Sequence, residues 1–310
     1  MPVPKRVAGG ASEDVASEPI RYLERTRTWY AALGYPPYRW ASHAEVPFVA
    51  LARPLAGSTV VLITTAAPYR PELGDQGPGA PYNAAAKFFT VYSTGVDPLP
   101  DLRISHVSYD RTHSATTDPA SWLPVAALAR AAQAGRIGRL AGRLIGVPTN
   151  RSQRITVEQD APDVLALCRE FGADAAVLVP NCPVCHQSTS LVARHLESNG
   201  IATVVMGCAR DIVEQAGVPR FLFSDFPLGN AAGKPHDPAS QDATLALALE
   251  LLETAPAPRT LRVSPQRWAA DDAWKLDFMN IERVSAERIT ELRAEFAEQQ
   301  RIARALKTRP

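Results

Sequence analysis

The sequence predicts an α/β fold: a mostly parallel sheet with helices on both faces, in layers of the Rossmann or flavodoxin type. From Leu102 onward, short apolar runs alternate with longer segments of helical spacing. Strands separated by helices of that length need crossover connections, and crossovers make neighbouring strands parallel. The runs are also continuously apolar rather than alternating, as in Ala-Ala-Val-Leu-Val from residue 175 and Ile-Ala-Thr-Val-Val-Met from residue 201. That is the pattern of strands buried on both faces. Third, residues 177–192 read Val-Leu-Val-Pro-Asn-Cys-Pro-Val-Cys-His-Gln-Ser-Thr-Ser-Leu-Val, an apolar strand, a tight turn and a helix start.

Taken in order, residues 1–17 are small, polar and without period, and read as a flexible arm. A helix follows from Ser17-Glu18-Pro19, with Ser17 as its cap and Ile20, Leu23, Trp29 and Leu33 on its apolar side; Gly34-Tyr35-Pro36-Pro37 stops it. Residues 46–51 form either a short strand or an extended arm, and 58–65 a buried strand. Residues 66–100 are rich in proline and glycine, a long irregular stretch of the kind that is more often functional than idle. Beyond it we expect a strand at 104–109, a helix at 120–134, a strand at 144–147, and a helix at 162–171 with Asp160 near its cap. The central strand at 175–179 leads into a helix that ends at Asn199-Gly200. A strand at 201–206, a helix at 209–216 closed by Gly217, a strand at 221–224 and an apolar helix at 239–252 follow. The last segment, 285–307, sets Ile289, Leu292, Phe296, Ala303 and Leu306 at helical spacing, a face for the body or for a second subunit. The expected organisation is an arm at 1–17, an α/β domain at 18–264 that could divide into lobes 18–150 and 151–264, and a helical extension at 265–310.

Charge is balanced, with 33 Lys plus Arg against 32 Asp plus Glu, so nothing asks for nucleic acid or an anionic membrane as partner. No apolar run approaches the roughly 18 residues of a membrane span. Residues 1–20 lack the apolar core of a signal peptide, and the expected compartment is the cytoplasm. In that compartment Cys168, Cys182, Cys185 and Cys208 read as reduced, catalytic or metal-binding rather than as a disulfide framework. A zinc ribbon would need a second Cys-x-x-Cys or histidine pair, which the chain lacks.

Cys182 and Cys185 fall where a strand gives way to a helix. Unpaired N–H groups there favour an anion and can bring a thiol pKa down to roughly 3.5–7.5. The pair therefore reads as a reactive dithiol with Cys182 and Cys185 as its two sulfurs; the alternatives are a metal site, of zinc or iron, completed by Cys208 or a histidine, and a pair of inert thiols. His186 is either an acid or thiolate partner or a helix-cap residue. In open α/β sheets ligands bind outside the carboxyl ends of the strands. This sequence places Asn181, Cys182, Cys185, His186 and Gln187 at one such end, Cys208 at the next, Asp225 and Asn230 after a third, and His106, Tyr109 and Asp110 on and after a fourth. Cys168, mid-helix, is a packing thiol. Cys182-Pro183-Val184-Cys185-His186 also matches the c-type haem attachment pattern, but the preceding buried strand argues against that use. A thioredoxin-like domain is disfavoured because several βα units precede the dithiol.

At these residues the chain resembles the selenoprotein B family of glycine, sarcosine, betaine and D-proline reductases. The resemblance is carried by Asp101-Leu102-Arg103-Ile104-Ser105-His106 through Tyr109-Asp110, by Asn181-Cys182-Pro183-Val184-Cys185-His186-Gln187, and by Asp225-Phe226-Pro227-Leu228-Gly229-Asn230 with Gly233-Lys234-Pro235. It implies that Cys182 stands at the selenocysteine position as nucleophile and that Cys185 is the resolving thiol. The implied reaction is a two-electron cleavage of a C–N, C–S or similar bond in a small molecule. No cofactor is expected in the chain itself: the resemblance implies an external dithiol or thioredoxin-type donor and a pyruvoyl group on a partner subunit, and self-association is also expected. Two rival readings stand beside it, a metal-binding or non-catalytic partner subunit and a general thiol-disulfide oxidoreductase.

Overall fold

The computed structural model describes residues 18–114 and 116–307, so the arm at 1–17 and the capping role given to Ser17 lie outside the described residues. An eight-stranded sheet runs through the molecule. Its main strands are β1 (Thr59–Thr64), β2 (Tyr92–Gly95), β3 (Arg143–Gly146), β4 (Ala175–Val179), β5 (Ala202–Gly207), β6 (Arg220–Phe223) and β7 (Thr260–Val263). They lie in the order β7-β6-β5-β4-β1-β3-β2, with the short Arg139–Leu140 also pairing with β1. Every pairing is parallel except that of edge strand β2 with β3, so the sheet is mostly parallel, as the sequence predicts. Strands from both sides of residue 150 share this one sheet.

The helices are α1 (Tyr22–Ala32), α2 (Val125–Gln133), α3 (Ala161–Glu170), α4 (Pro183–Glu197), α5 (Arg210–Ala216), α6 (Pro238–Thr254) and α7 (Ala286–Lys307). The two-residue period of the strands divides the core. Val60, Leu62, Val177 and Val204 face α2 and α6, where Leu128, Leu245 and Leu249 meet them. Val61, Ile63, Leu178 and Val205 face α3 and α4, against Val164, Cys168, Val192 and Leu196. Cys168 is the packing thiol expected of it, and burial pushes its pKa up to about 12. Helix α7 lays Phe296 on Tyr30 and Leu33 of the N-terminal helix region, so its apolar face closes on this chain.

Three expectations need correction, and one pair of alternatives is decided. Residues 104–109 are not a strand: only Leu102–Arg103 pairs, with Ala67–Pro68. Side chains hold this segment instead, His106 on the Thr65 carbonyl and Arg111 on the carbonyls of His106 and Val107. Residues 46–51 are the extended arm rather than a strand. Asp160 caps nothing, because the helix begins earlier, at Gln153–Ile155, passes through a π turn at Thr156–Asp160 and only then becomes α3. Edge strand β2 lies inside the stretch read as irregular.

The arm at 46–51 is tied to the sheet by a buried ion pair. Glu197 accepts from Arg220 at 2.8 Å, from the Val49 N–H at 2.7 Å and from the Thr203 N–H at 2.5 Å, while Arg220 donates to the Val49 carbonyl. Both side chains are essentially without solvent contact.

Candidate active site

Strand β4 ends at Pro180-Asn181 and the chain turns directly into α4, with Cys182 as its N-cap and Pro183 in the first turn. The cap position ordinarily takes a serine or aspartate oxygen; here the Cys182 sulfur accepts from the Cys185 N–H at 3.2 Å. A thiolate would gain from the same N–H and from the positive end of a 15-residue helix. The two sulfurs are joined as a disulfide, with Cα atoms 4.9 Å apart.

The two sulfurs have unequal surroundings. Cys182 lines a cavity of about 330 Å³, together with His106, Thr149, Asn150, Arg151 and Val184. Cys185 lies behind it with no solvent exposure, its sulfur 3.5 Å from the Thr149 hydroxyl. Tyr38 and Trp40 of the N-terminal segment cover the pair. A ring nitrogen of His106 and both sulfurs lie within 4.8 Å of one another. Burial lowers the His106 pKa to about 4 against the opposing pull of the Thr65 carbonyl bond, and nearby Lys87 and Arg111 lower it further. The ring is therefore neutral, Nε2–H donates to Thr65 at 2.7 Å, and Nδ1 keeps an unshared lone pair among the described residues.

His186 cannot serve as the acid expected of it. Its Nδ1–H donates to the Cys182 carbonyl at 2.7 Å, and Nε2 accepts from the Cys208 and Ala209 N–H groups at 2.9 and 3.1 Å. Both nitrogens are spent, the ring is fully buried, and burial brings its pKa down to about 4. The imidazole clamps the start of α4 to the end of β5. Gly207 leaves it room, since a Cβ there would stand 2.7 Å from the ring. This clamp carries a pH signature. The neutral ring is favoured only in the folded state, so its contribution is complete above about pH 6.5 and is lost as pH falls toward 4, about 1.4 kcal/mol per unit. The stability difference between wild type and His186→Gln, from denaturant melts, is expected to shrink by roughly 2–3 kcal/mol between pH 7 and pH 4.5. An unchanged difference would mean that the ring takes up its proton as readily in the folded chain as in the unfolded one.

The other residues named from the sequence do not line the cavity. Asp110 accepts from the N–H groups of Thr112 and His113 and from the His113 ring, shaping a turn. Tyr109 is buried under the Arg111 guanidinium. Asp225 pairs with Lys275 at 2.5 Å. Asn230 is buried between Ser114 and the Pro227 carbonyl. Gln187 holds the N-terminal segment, accepting from the Ala41 N–H and donating to the Tyr38 hydroxyl. Asn181 is buried at the strand end with its side-chain amide unpartnered among the described residues. The Cys208 thiol points away to backbone N–H groups of Phe226 and Asn230, and burial pushes its pKa well up, so it does not complete a metal set with the pair.

What the sequence reading missed is the far wall of the cavity. Thr149, Asn150 and Arg151 follow β3, Lys87 and Phe89 come from the irregular stretch, and Phe296, Gln300 and Arg304 come from α7. The strand-end rule applied to 144–147 would have found the first three.

No protein-family profile matches the chain, and no solved structure does. Among curated proteins, the D-proline reductase subunit gamma of Acetoanaerobium sticklandii is 28% identical over 190 residues, covering 61% of this chain and 78% of that protein. Among the described residues no helix is long and apolar enough to cross a membrane. With the sulfur pair at the strand end and this relative in hand, the chain is distantly related to the D-proline reductase subunit that its Cys-x-x-Cys stretch resembles.

Proposed function

We propose that the chain is a dithiol reductase subunit that cleaves a C–N, C–S or similar bond of a small molecule bound in the cavity beside Cys182. The observation that supports this most is the order of the two sulfurs: Cys182 on the cavity wall at a helix N-cap, Cys185 buried directly behind it. In the first step the Cys182 thiolate gives its electron pair to the substrate carbon, the C–X bond breaks and X leaves with a proton. The Cys185 thiolate then attacks the Cys182 sulfur, the S–C bond breaks, and the carbon keeps the electron pair and takes up a proton. Two thiols become one disulfide, and the substrate carbon is reduced by two electrons. An external dithiol, protein or small molecule, returns the pair. His106 rather than His186 is suited to move the protons, since its Nδ1 is unspent and a ring nitrogen is within 4.8 Å of both sulfurs. The relative's name marks it as one subunit of its enzyme, and we extend that to this chain as a hetero-subunit partner.

A second reading is favoured by one observation. Once the disulfide is reduced, two sulfurs and an imidazole this close, with Cys182 and His106 on the cavity wall, would make a three-ligand set for a divalent metal such as zinc. One experiment separates the two: alkylation of the reduced protein followed by mass spectrometry across pH, with metal content measured on the same sample. Reductase chemistry requires Cys182 to alkylate well below pH 8 in metal-free protein. Protection of both thiols until a chelator is added would replace the dithiol mechanism with the metal site.

A further inference from the structure

The cavity beside Cys182 has a one-sided charge. Lys87, Arg151 and Arg304 stand on its wall, and among the described residues no aspartate or glutamate does. Behind the wall, the Asp160 carboxyl is taken up by the Asn150 amide at 3.1 Å, and burial pushes its pKa up to about 6. Arg151 is the cation set out for a ligand. Its guanidinium lies over Tyr30, 4.8 Å from the ring centroid, and 5.8 Å from that of Tyr38, and it enters no ion pair among the described residues. Stacking on rings fixes the plane of the guanidinium while leaving its N–H fork for an oxyanion. Its backbone holds a φ of 58°, a strained setting for a non-glycine residue and one that accumulates at ligand clamps. Tyr82, Phe89, Val107 and Phe296 give the wall its apolar and aromatic surface, beside the neutral polar side chains of Ser108, Asn150 and Gln300.

We propose that this cavity selects a small apolar or aromatic monocarboxylate without an ammonium group, the carboxylate held by Arg151 and the apolar body directed toward Cys182. This rests on reading the cavity as the substrate site of the dithiol. An ammonium on the ligand would stand beside the cations of this wall, with no carboxylate among the described lining residues to meet it, and like charges brought that close are disfavoured. The selection excludes zwitterionic amino acids, which bring both charges at once.

Calorimetric titration of the full chain in its oxidised form reads binding without turnover, using three probes of nearly one shape: 3-phenylpropanoate, its neutral amide, and phenylalanine. The acid is expected to bind at least about tenfold more tightly than either of the others, a difference of one charged contact. Arg151→Gln should bring the acid down to the level of the amide, and Arg151→Lys should keep part of the preference; thermal melts of both variants establish that they are folded. Equal binding of the amide or of phenylalanine overturns the proposal, as does a preference that survives in Arg151→Gln or the failure of all three probes to bind. Because the disulfide form is titrated, unreactive thiols in the alkylation experiment would sink the reductase reading and leave this result standing.

Discussion

Reduced wild-type protein is expected to release two equivalents of thiolate from a small aromatic disulfide, Cys185→Ser to release one and keep the other half of the probe on Cys182, and Cys182→Ser to react at least about a hundredfold more slowly. The expectation follows from where the sulfurs sit. Cys182 is on the cavity wall and accepts a helix N–H, so it meets the probe first and displaces one thiolate. Cys185, fully buried and already at disulfide distance, displaces the second from the mixed disulfide. In Cys185→Ser nothing can do so, and the adduct persists. In Cys182→Ser the remaining sulfur of the pair has no exposure, and a serine hydroxyl does not exchange. Cys168 and Cys208 stay silent on this timescale, because both are buried with thiol pKa values pushed up. Absorbance of the released thiolate gives the count, and intact mass gives the adduct. Two equivalents from Cys185→Ser, or an adduct on Cys185 in the wild type, would reverse the roles assigned to the pair.

The parts of this site that the sequence makes legible are those whose chemistry and local structure coincide. An apolar run, Pro180-Asn181, two cysteines and a helical pattern fix a strand end and a helix cap within a dozen residues, so the position of Cys182 needs no tertiary knowledge. His106 was reachable from its place beyond Leu102–Arg103, although the strand expected around it is absent. Polar residues at the other strand ends were legible as polar and not as to purpose. Asp110, Asn230 and Gln187 serve turns and a neighbouring segment, and a residue type that can bind a substrate can equally satisfy a loop backbone. His186 makes the point most sharply, since its neighbours Cys208 and Ala209 come from the next strand and turn an apparent acid into a clamp. The wall formed by Thr149, Arg151 and α7 lies at the opposite limit. It assembles from segments more than a hundred residues apart, and no local spacing announces it. Strand β2 was missed for another reason: Tyr-Ser-Thr-Gly is half-buried at a sheet edge and carries no apolar run.

The largest expected loss of stability lies away from the dithiol, at Glu197. Truncation to alanine leaves the Arg220 guanidinium, about 1% exposed, without its carboxylate, and leaves the Val49 and Thr203 N–H groups without their acceptor. Burial pushes the Glu197 carboxyl upward, and the Arg220 charge and the N–H donors pull it back without offsetting burial, the mark of a pair that is expensive to bury. Breaking such a pair costs about 3–5 kcal/mol, whereas replacing both members by apolar residues of similar volume is often near neutral. Glu197→Ala is therefore expected to lower the denaturant midpoint sharply and the melting temperature by on the order of ten degrees, while Glu197→Leu combined with Arg220→Met recovers most of the loss. A single-variant cost under about 1 kcal/mol would mean that water reaches the guanidinium and that the pair is not sealed. The thiol count should discriminate further. The pair sits at the start of β5 and β6 and the end of α4, whereas Cys182 sits at the opposite end of that helix. Folded Glu197→Ala protein should accordingly still release two equivalents of thiolate, because the damage falls on the anchoring of the 46–51 arm and not on the cap that holds the sulfurs.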